Sequence, residues 1–176
     1  LSPYTCYYYR FDYEGVISLT GRTKTAPETE ADSLRFAVVS CSDYAAGYFN
    51  SYASIVDRDD IDAVIHLGDY LYEYTAVAGV DGRTVEPENE IISLSDYRTR
   101  HSHYKLDRDL RNMHQQYPVI TVWDDHESAN DAWTGGAQNH NSTTEGSWEN
   151  RKANSKQAYF EWMPIRPNSI DSLRLY

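Results

Sequence analysis

Three places in the 176-residue sequence gather side chains that could do chemistry together: Cys41, then Asp69 with Tyr72, then Asp125 with His126. Between them they offer a thiol, two carboxylates, a phenol and an imidazole. Bringing such groups close is unfavourable, because like charges repel and buried charge costs several kcal/mol unless something offsets it. The natural compensator is one or more metal cations. The carboxylate oxygens suit Ca²⁺, Mg²⁺ or Mn²⁺, whereas a thiolate and a phenolate suit a more Lewis-acidic ion such as Fe³⁺, Zn²⁺ or Cu²⁺. A mixed set suggests two unlike metals sharing a bridging carboxylate, with Asp69 as the candidate bridge. Singly, each piece has a plainer reading: a Gly-Asp pair after a strand is a common turn, His-Glu can open a helix, and a lone Cys is usually a small core residue. The signal lies in their joint order.

That order matters because each cluster follows a short apolar run. Phe36-Ala37-Val38-Val39 reads as a strand ending at Ser40-Cys41, Asp62-Ala63-Val64-Ile65-His66-Leu67 as a second ending at Gly68-Asp69, and Pro118-Val119-Ile120-Thr121-Val122-Trp123 as a third ending at Asp124-Asp125-His126. Between them Tyr48, Tyr52, Ile55 and Val56 recur at helical spacing, so a helix is expected over about 45–58. Ser93 or Ser95 can cap a long helix running to about Gln116. A third helix is expected from Glu145 to Trp162, stopped by Pro164, after a polar, Gly-rich loop over 130–145. Apolar strands alternating with helices predict a mostly parallel sheet covered on both faces. In such sheets ligands bind beyond the carboxyl ends of the strands, where the three clusters would converge.

Residues 1–30 are different. Tyr7-Tyr8-Tyr9-Arg10-Phe11 and Val16-Ile17-Ser18-Leu19-Thr20 read as two strands about a turn at Gly15, and the polar stretch from Thr23 to Asp32 reads as a linker. Two strands alone are not stable and need partners elsewhere.

Composition narrows the function. A hydrophobic fraction of 40% suits one packed domain. Acidic residues outnumber basic ones by 27 to 16, for a net charge of −11, which argues against a nucleic-acid backbone as partner. No apolar run approaches the ~18 residues needed to cross a bilayer. The 16 tyrosines are expected to pack and to line rims. The two cysteines, Cys6 and Cys41, make no disulfide framework, and they are expected to stay apart, with Cys41 at the end of a buried strand. The sequence opens at Leu1, without a leader, as a mature, trimmed or partial chain would.

The multi-residue runs resemble the PhoD-like alkaline phosphatases. Arg35-Phe36-Ala37-Val38-Val39-Ser40-Cys41 with Gly47-Tyr48-Phe49 is similar to that family's first block, His66-Leu67-Gly68-Asp69-Tyr70-Leu71-Tyr72-Glu73-Tyr74 to its second, and Tyr97-Arg98-Thr99-Arg100-His101 with Tyr104 to its next signature. Trp123-Asp124-Asp125-His126-Glu127 resembles its third metal block, and Ala158-Tyr159-Phe160-Glu161-Trp162-Met163-Pro164-Ile165-Arg166 the helix end that follows. The likeness covers nearly all of 34–167. Residues 1–30, with Thr20-Gly21-Arg22-Thr23-Lys24-Thr25, look like the end of that family's N-terminal immunoglobulin-like domain.

The resemblance implies an α/β fold of the calcineurin-like metallophosphoesterase superfamily: a β-sandwich flanked by helices, of which 31–176 would be the N-terminal part. It implies Cys41, Asp69, Tyr72 and Asp125 as metal ligands, Fe³⁺ and Ca²⁺ as cofactors with other divalent metals as alternatives, and His126 as the group that contacts phosphate or protonates the leaving oxygen. The implied activity is hydrolysis of small-molecule or lipid phosphate esters by a metal-activated hydroxide, as an alkaline phosphatase, phosphodiesterase or phospholipase D-like enzyme. The implied location is secreted or periplasmic. The family's later Gly-Asp-x-His block is absent, so the chain is expected to stop short of it, and the alternative reading is a non-catalytic metal- or phosphate-binding fragment. Asn130 and Asp131 are weaker candidates for touching metal or phosphate. Arg98 and Arg100 could hold an anion, but helical arginine pairs are usually solvated or ion-paired. His66 reads as a core residue, and His101 and His103 lack the spacing of a zinc pair.

Overall fold

The computed structural model describes residues 1–77 and 79–166. The N-terminal segment forms two small antiparallel ribbons: β1 (Cys6–Tyr9) pairs with β4 (Gly21–Lys24), and β2 (Asp12–Tyr13) with β3 (Val16–Ile17). Strand β4 therefore occupies part of the expected linker. The ribbons dock on the body through polar contacts: the Lys24 ammonium meets Asp62 at 2.5 Å, Arg22 donates to the Gln116 carbonyl at 3.4 Å, and the Gln115 amide donates to that of Thr20 at 2.7 Å.

The body is built on three parallel strands in the order β5 (Phe36–Val39), β6 (Ala63–His66) and β7 (Val119–Thr121). In register, Val39 lies beside His66 and His66 beside Thr121, so all three chains leave the sheet at one edge. One face of the sheet carries Ala37, Val39, Val64 and Val119 and packs into the core. The other carries Phe36, Val38 and Ile120, exposed at 44%, 58% and 54%. Coverage on both faces, expected from the apolar strands, is therefore not found among the described residues. The reason is that α1 (Asn50–Val56) pairs with α3 (Arg108–Gln116), and α2 (Leu94–Tyr104) with α4 (Trp148–Trp162), and the apolar residues these helices bury share one cluster with Val64, apart from Trp148, which packs with Ala129 and Ala137.

The helix boundaries follow local chemistry. Helix α1 begins only at Asn50, without a side-chain cap, and the preceding turns take up the rest of the expected span. Ser93 caps α2 in a reciprocal box with Asp96. The long helix expected to Gln116 is two helices. Asp107 interrupts it by accepting the Asp109 and Leu110 amides at 3.0 Å each and pairing with Arg83 at 2.6 Å. Helix α4 starts three residues later than expected, on the Ser147 cap, and ends at Trp162, before Met163, which is extended because Pro164 follows.

The core is unusually rich in tyrosine. Tyr52, Tyr70, Tyr97, Tyr104, Tyr117 and Tyr159 are all buried, and each hydroxyl is satisfied, as a buried phenol requires. Tyr104 accepts the backbone amides of Tyr44 and Tyr72 at 3.2 Å each, and Tyr159 meets Thr121 at 2.9 Å. Both cysteines are free and exposed. Cys41 thus sits on an exposed lip rather than at the end of a buried strand. No described helix is long and apolar enough to cross a membrane.

Candidate metal centre

The carboxyl ends of β5, β6 and β7 are tied by backbone hydrogen bonds that continue past the sheet. Leu67 donates to the Val39 carbonyl, Val122 to that of His66, Cys41 to that of Gly68 and Ser42 to that of Asp69, at 2.8–3.2 Å. Gly68 makes the closest approach possible. Its φ is +105°, and a Cβ there would lie 2.5 Å from the Asp124 nitrogen and 2.9 Å from the Trp123 carbonyl carbon. Glycine alone fits. The next residue, Asp69, and Cys41 across from it both hold positive φ, 53° and 58°. Non-glycine residues pay of order 1 kcal/mol for that conformation and cluster at functional sites when they adopt it.

The five sequence candidates come together here. The Cys41 thiol lies 3.3 Å and the Tyr72 hydroxyl 3.4 Å from one Asp69 oxygen, Oδ2. Asp69, Asp125 and His126 each place a ligand-type atom within 4.8 Å of the others. The second Asp69 oxygen, Oδ1, is buried and has no hydrogen-bond partner. A buried carboxylate oxygen without a donor is costly, and a cation is the partner it lacks. The donor set therefore fits metal: hard oxygens from Asp69 and Asp125, with a thiol and a phenol on the Cys41 side.

The electrostatics agree. Burial, followed by the charge of Asp69, raises the Tyr72 phenol well above its usual range. Burial, with the charges of Asp69 and Asp125, likewise raises the Asp124 carboxyl. Neighbouring negative charge adds to burial in both shifts, and a cation at the site would offset that part. His126 moves the other way from a typical buried imidazole. Burial pulls it down, but the hydrogen bond and charge of Glu73, with Asp125 and Asp69, outweigh that and leave it raised.

Two acids that the sequence did not single out hold this rim. Glu73, fully buried, bonds His126 Nδ1 at 2.8 Å and accepts the Asn130 backbone amide at 2.7 Å and the Asn139 side-chain amide at 2.8 Å. With Nδ1 so engaged, Nε2 is the ring nitrogen left to act. Glu127 accepts three backbone amides, from Asp69 at 3.1 Å, Tyr70 at 2.6 Å and Asp124 at 2.7 Å. It clamps the loop after β6 to the loop after β7. The only signal for either was an acid inside or beside an aromatic run.

The weaker candidates fall outside the cluster. The Asn130 side chain is engaged by Gln138 at 2.9 Å and Asp131 at 3.3 Å, and its contribution is the backbone amide given to Glu73. Asp131 donates its backbone amide to Asp125 Oδ2. Arg98 pairs with Glu161 at 2.6 Å on the surface. Arg100 is buried and donates to the carbonyls of Tyr72, Tyr74, Glu86, Pro87 and Asn89, so it shapes the loop behind the rim and is not open to an anion. His66 is the core residue expected, bonded to Tyr52 at 3.1 Å.

Comparison with known proteins gives the same direction. A family model described as PhoD-like phosphatase matches residues 36–176. The chain is 37% identical over 175 residues to alkaline phosphatase D of Bacillus subtilis (strain 168), a match that takes in 97% of this chain and 30% of that protein. A solved structure described as "Structure of PhoD" superposes with a TM-score of 0.84 at 37% identity, covering all of this chain and 35% of the other. The chain thus spans about a third of the length of the relatives it matches.

Proposed function

The chain belongs to the PhoD-like phosphatase family, and from that premise we propose that it carries part of the metal centre of an enzyme that hydrolyses phosphate esters. In this reading Cys41, Asp69, Tyr72 and Asp125 would hold the cations, with Asp69 the candidate shared ligand. Fe³⁺ on the thiol and phenol side with Ca²⁺ on the carboxylate side matches the mixed donors, and other divalent ions are the alternative. The observation that carries the proposal is the buried, unpartnered Oδ1 of Asp69 at the point where the three strand ends converge.

Bound cations would supply positive charge for the phosphate oxygens and Lewis acidity for the attack of water on phosphorus. The protein's own part is positioning. Glu127 and Gly68 fix the distance between the Asp69 and Asp125 loops. Glu73 orients the imidazole so that Nε2 of His126 faces the leaving alcohol, to which it gives a proton as the P–O bond breaks. A positioned general acid is typically worth ~10²–10⁴-fold. Tyr72 and Tyr74 flank the His126 ring at 4.1 and 5.3 Å between centroids and limit its movement.

Small-molecule or lipid phosphate esters are the substrate class, with diester cleavage included. Residues 1–30 are read as the end of an immunoglobulin-like domain, 31–176 as the first part of a metallophosphatase sandwich, and the whole protein as secreted or periplasmic. Chelation of the full-length protein should abolish hydrolysis of p-nitrophenyl phosphate, and added iron and calcium should restore it. Full activity in verified metal-free protein would refute the proposal.

A further inference from the structure

A cavity of about 620 Å³ opens beside the rim, bordered on one side by Asp124 and Asp125. Helix α4 lines it with Trp148, Lys152 and Lys156, which repeat every fourth residue and so form one stripe of the helix. Trp123 and Trp133 complete an aromatic wall.

Trp133 is a built feature. The residue is 60% exposed, yet it is held in place. Trp133 and Gly136 exchange backbone hydrogen bonds at 2.8 and 3.3 Å, and the indole lies over Gly136, where a Cβ would come within 2.7 Å of the ring. An indole fixed over a glycine and presented to a cleft loses little freedom when a flat group stacks on it.

The charges are also specific. The chain carries a net −11, but this cleft gathers two ammonium groups, and neither Lys152 nor Lys156 forms an ion pair among the described residues. Lys152 is steadied by a 2.9 Å hydrogen bond to the Thr134 carbonyl. Glu149 also lines the cleft, so the balance on the α4 side is two positive groups to one negative. Directly beside the carboxylates of Asp124 and Asp125, such lysines are suited to an anion that the carboxylates would otherwise repel.

We propose that this cleft is the leaving-group subsite. It takes a phosphate ester whose alcohol part is flat and apolar, stacked on Trp133, and carries a second anionic group that Lys152 and Lys156 hold. The inference rests on the phosphate-ester reading above and names its substrate class.

The test compares methyl phosphate, phenyl phosphate and 4-carboxyphenyl phosphate in the metal-loaded, full-length protein. KM should fall in that order. Trp133→Ala should raise KM for both aryl esters about 5- to 10-fold and leave methyl phosphate unchanged, while Trp133→Phe restores the aryl preference. The double variant Lys152→Gln, Lys156→Gln should remove only the gain given by the carboxylate. Unchanged KM ratios in both variants would overturn the proposal. A separate reading comes from quenching of tryptophan fluorescence by 4-carboxybenzylphosphonate, which is not hydrolysed. If the wild type hydrolyses none of the three esters, the phosphatase reading fails. The quench then decides the cleft alone: binding weakened by both variants supports the site, and binding indifferent to them overturns it.

Discussion

His66 ends strand β6 and His126 follows the neighbouring parallel strand β7, yet the protein drives them in opposite directions. Burial would lower His126, but Glu73 and the aspartates of the rim raise it above the ordinary imidazole range. His66, the last residue of β6, is pulled down to about 4 by burial, with a smaller push from Lys105. The same holds behind it: burial takes His114 down to about 3 and His101 well below 6.5. The interior keeps these imidazoles neutral and stacks them on rings, as with His101 on Trp162 at 6.4 Å between centroids. The rim gathers charge of one sign and leaves it uncompensated. Every core tyrosine is satisfied, and the buried side-chain atoms left without a partner among the described residues are ring nitrogens of His101 and His140 and one carboxylate oxygen, Asp69 Oδ1, which lies at the rim.

The sharpest way to break this contrast is Asp69→Asn. It removes the negative charge and the ligand together. Metal binding and ester hydrolysis should fall about 10³-fold or more, while the metal-free protein should be no less stable, because like-charge repulsion is relieved. Calorimetric metal titration and urea melts of the chelated protein separate the two.

Arg100 tests the interior's support of the rim. Replacing it with Ala strips the donors from five loop carbonyls behind Tyr72 and should cost about 3 kcal/mol in urea unfolding. The pH dependence tests the interior's neutrality. For a histidine with a depressed folded pKa, stability is fully present above the unfolded value near 6.5 and is lost as pH falls towards the folded value. The full-length protein should therefore lose stability progressively below pH 6.5. His101→Phe keeps the stack on Trp162 and should recover about 2 kcal/mol of the loss at pH 5, with little change at pH 8. A flat stability profile between pH 8 and pH 5 would contradict the neutral interior. The smallest effect belongs to the surface: Arg98→Ala, which removes the exposed pair with Glu161, should leave urea unfolding essentially unchanged.

Much of this contrast is legible in the sequence, and the remainder has identifiable physical reasons. Three apolar runs ending in polar clusters are enough to place Cys41, Asp69, Tyr72, Asp125 and His126 at one sheet edge, because parallel strands share a direction. The break between α2 and α3 is not legible, since Asp107 competes as a cap only with Arg83 beside it. Nor are Glu73 and Glu127, whose importance lies in the backbone amides they receive from loops far along the chain. Arg100 reads like any helical arginine until the loop that wraps it is known. The open sheet face cannot be read from β5 or β7, because an apolar strand looks the same whether one face or both are covered.

The most direct test is elemental analysis of the full-length protein, paired with a visible spectrum. Bound metal is expected in stoichiometric amount, iron with calcium, lost in Asp69→Asn, together with a tyrosinate band that disappears in Tyr72→Phe. A protein that purifies without stoichiometric metal, binds none on titration and still hydrolyses phosphate esters would contradict it.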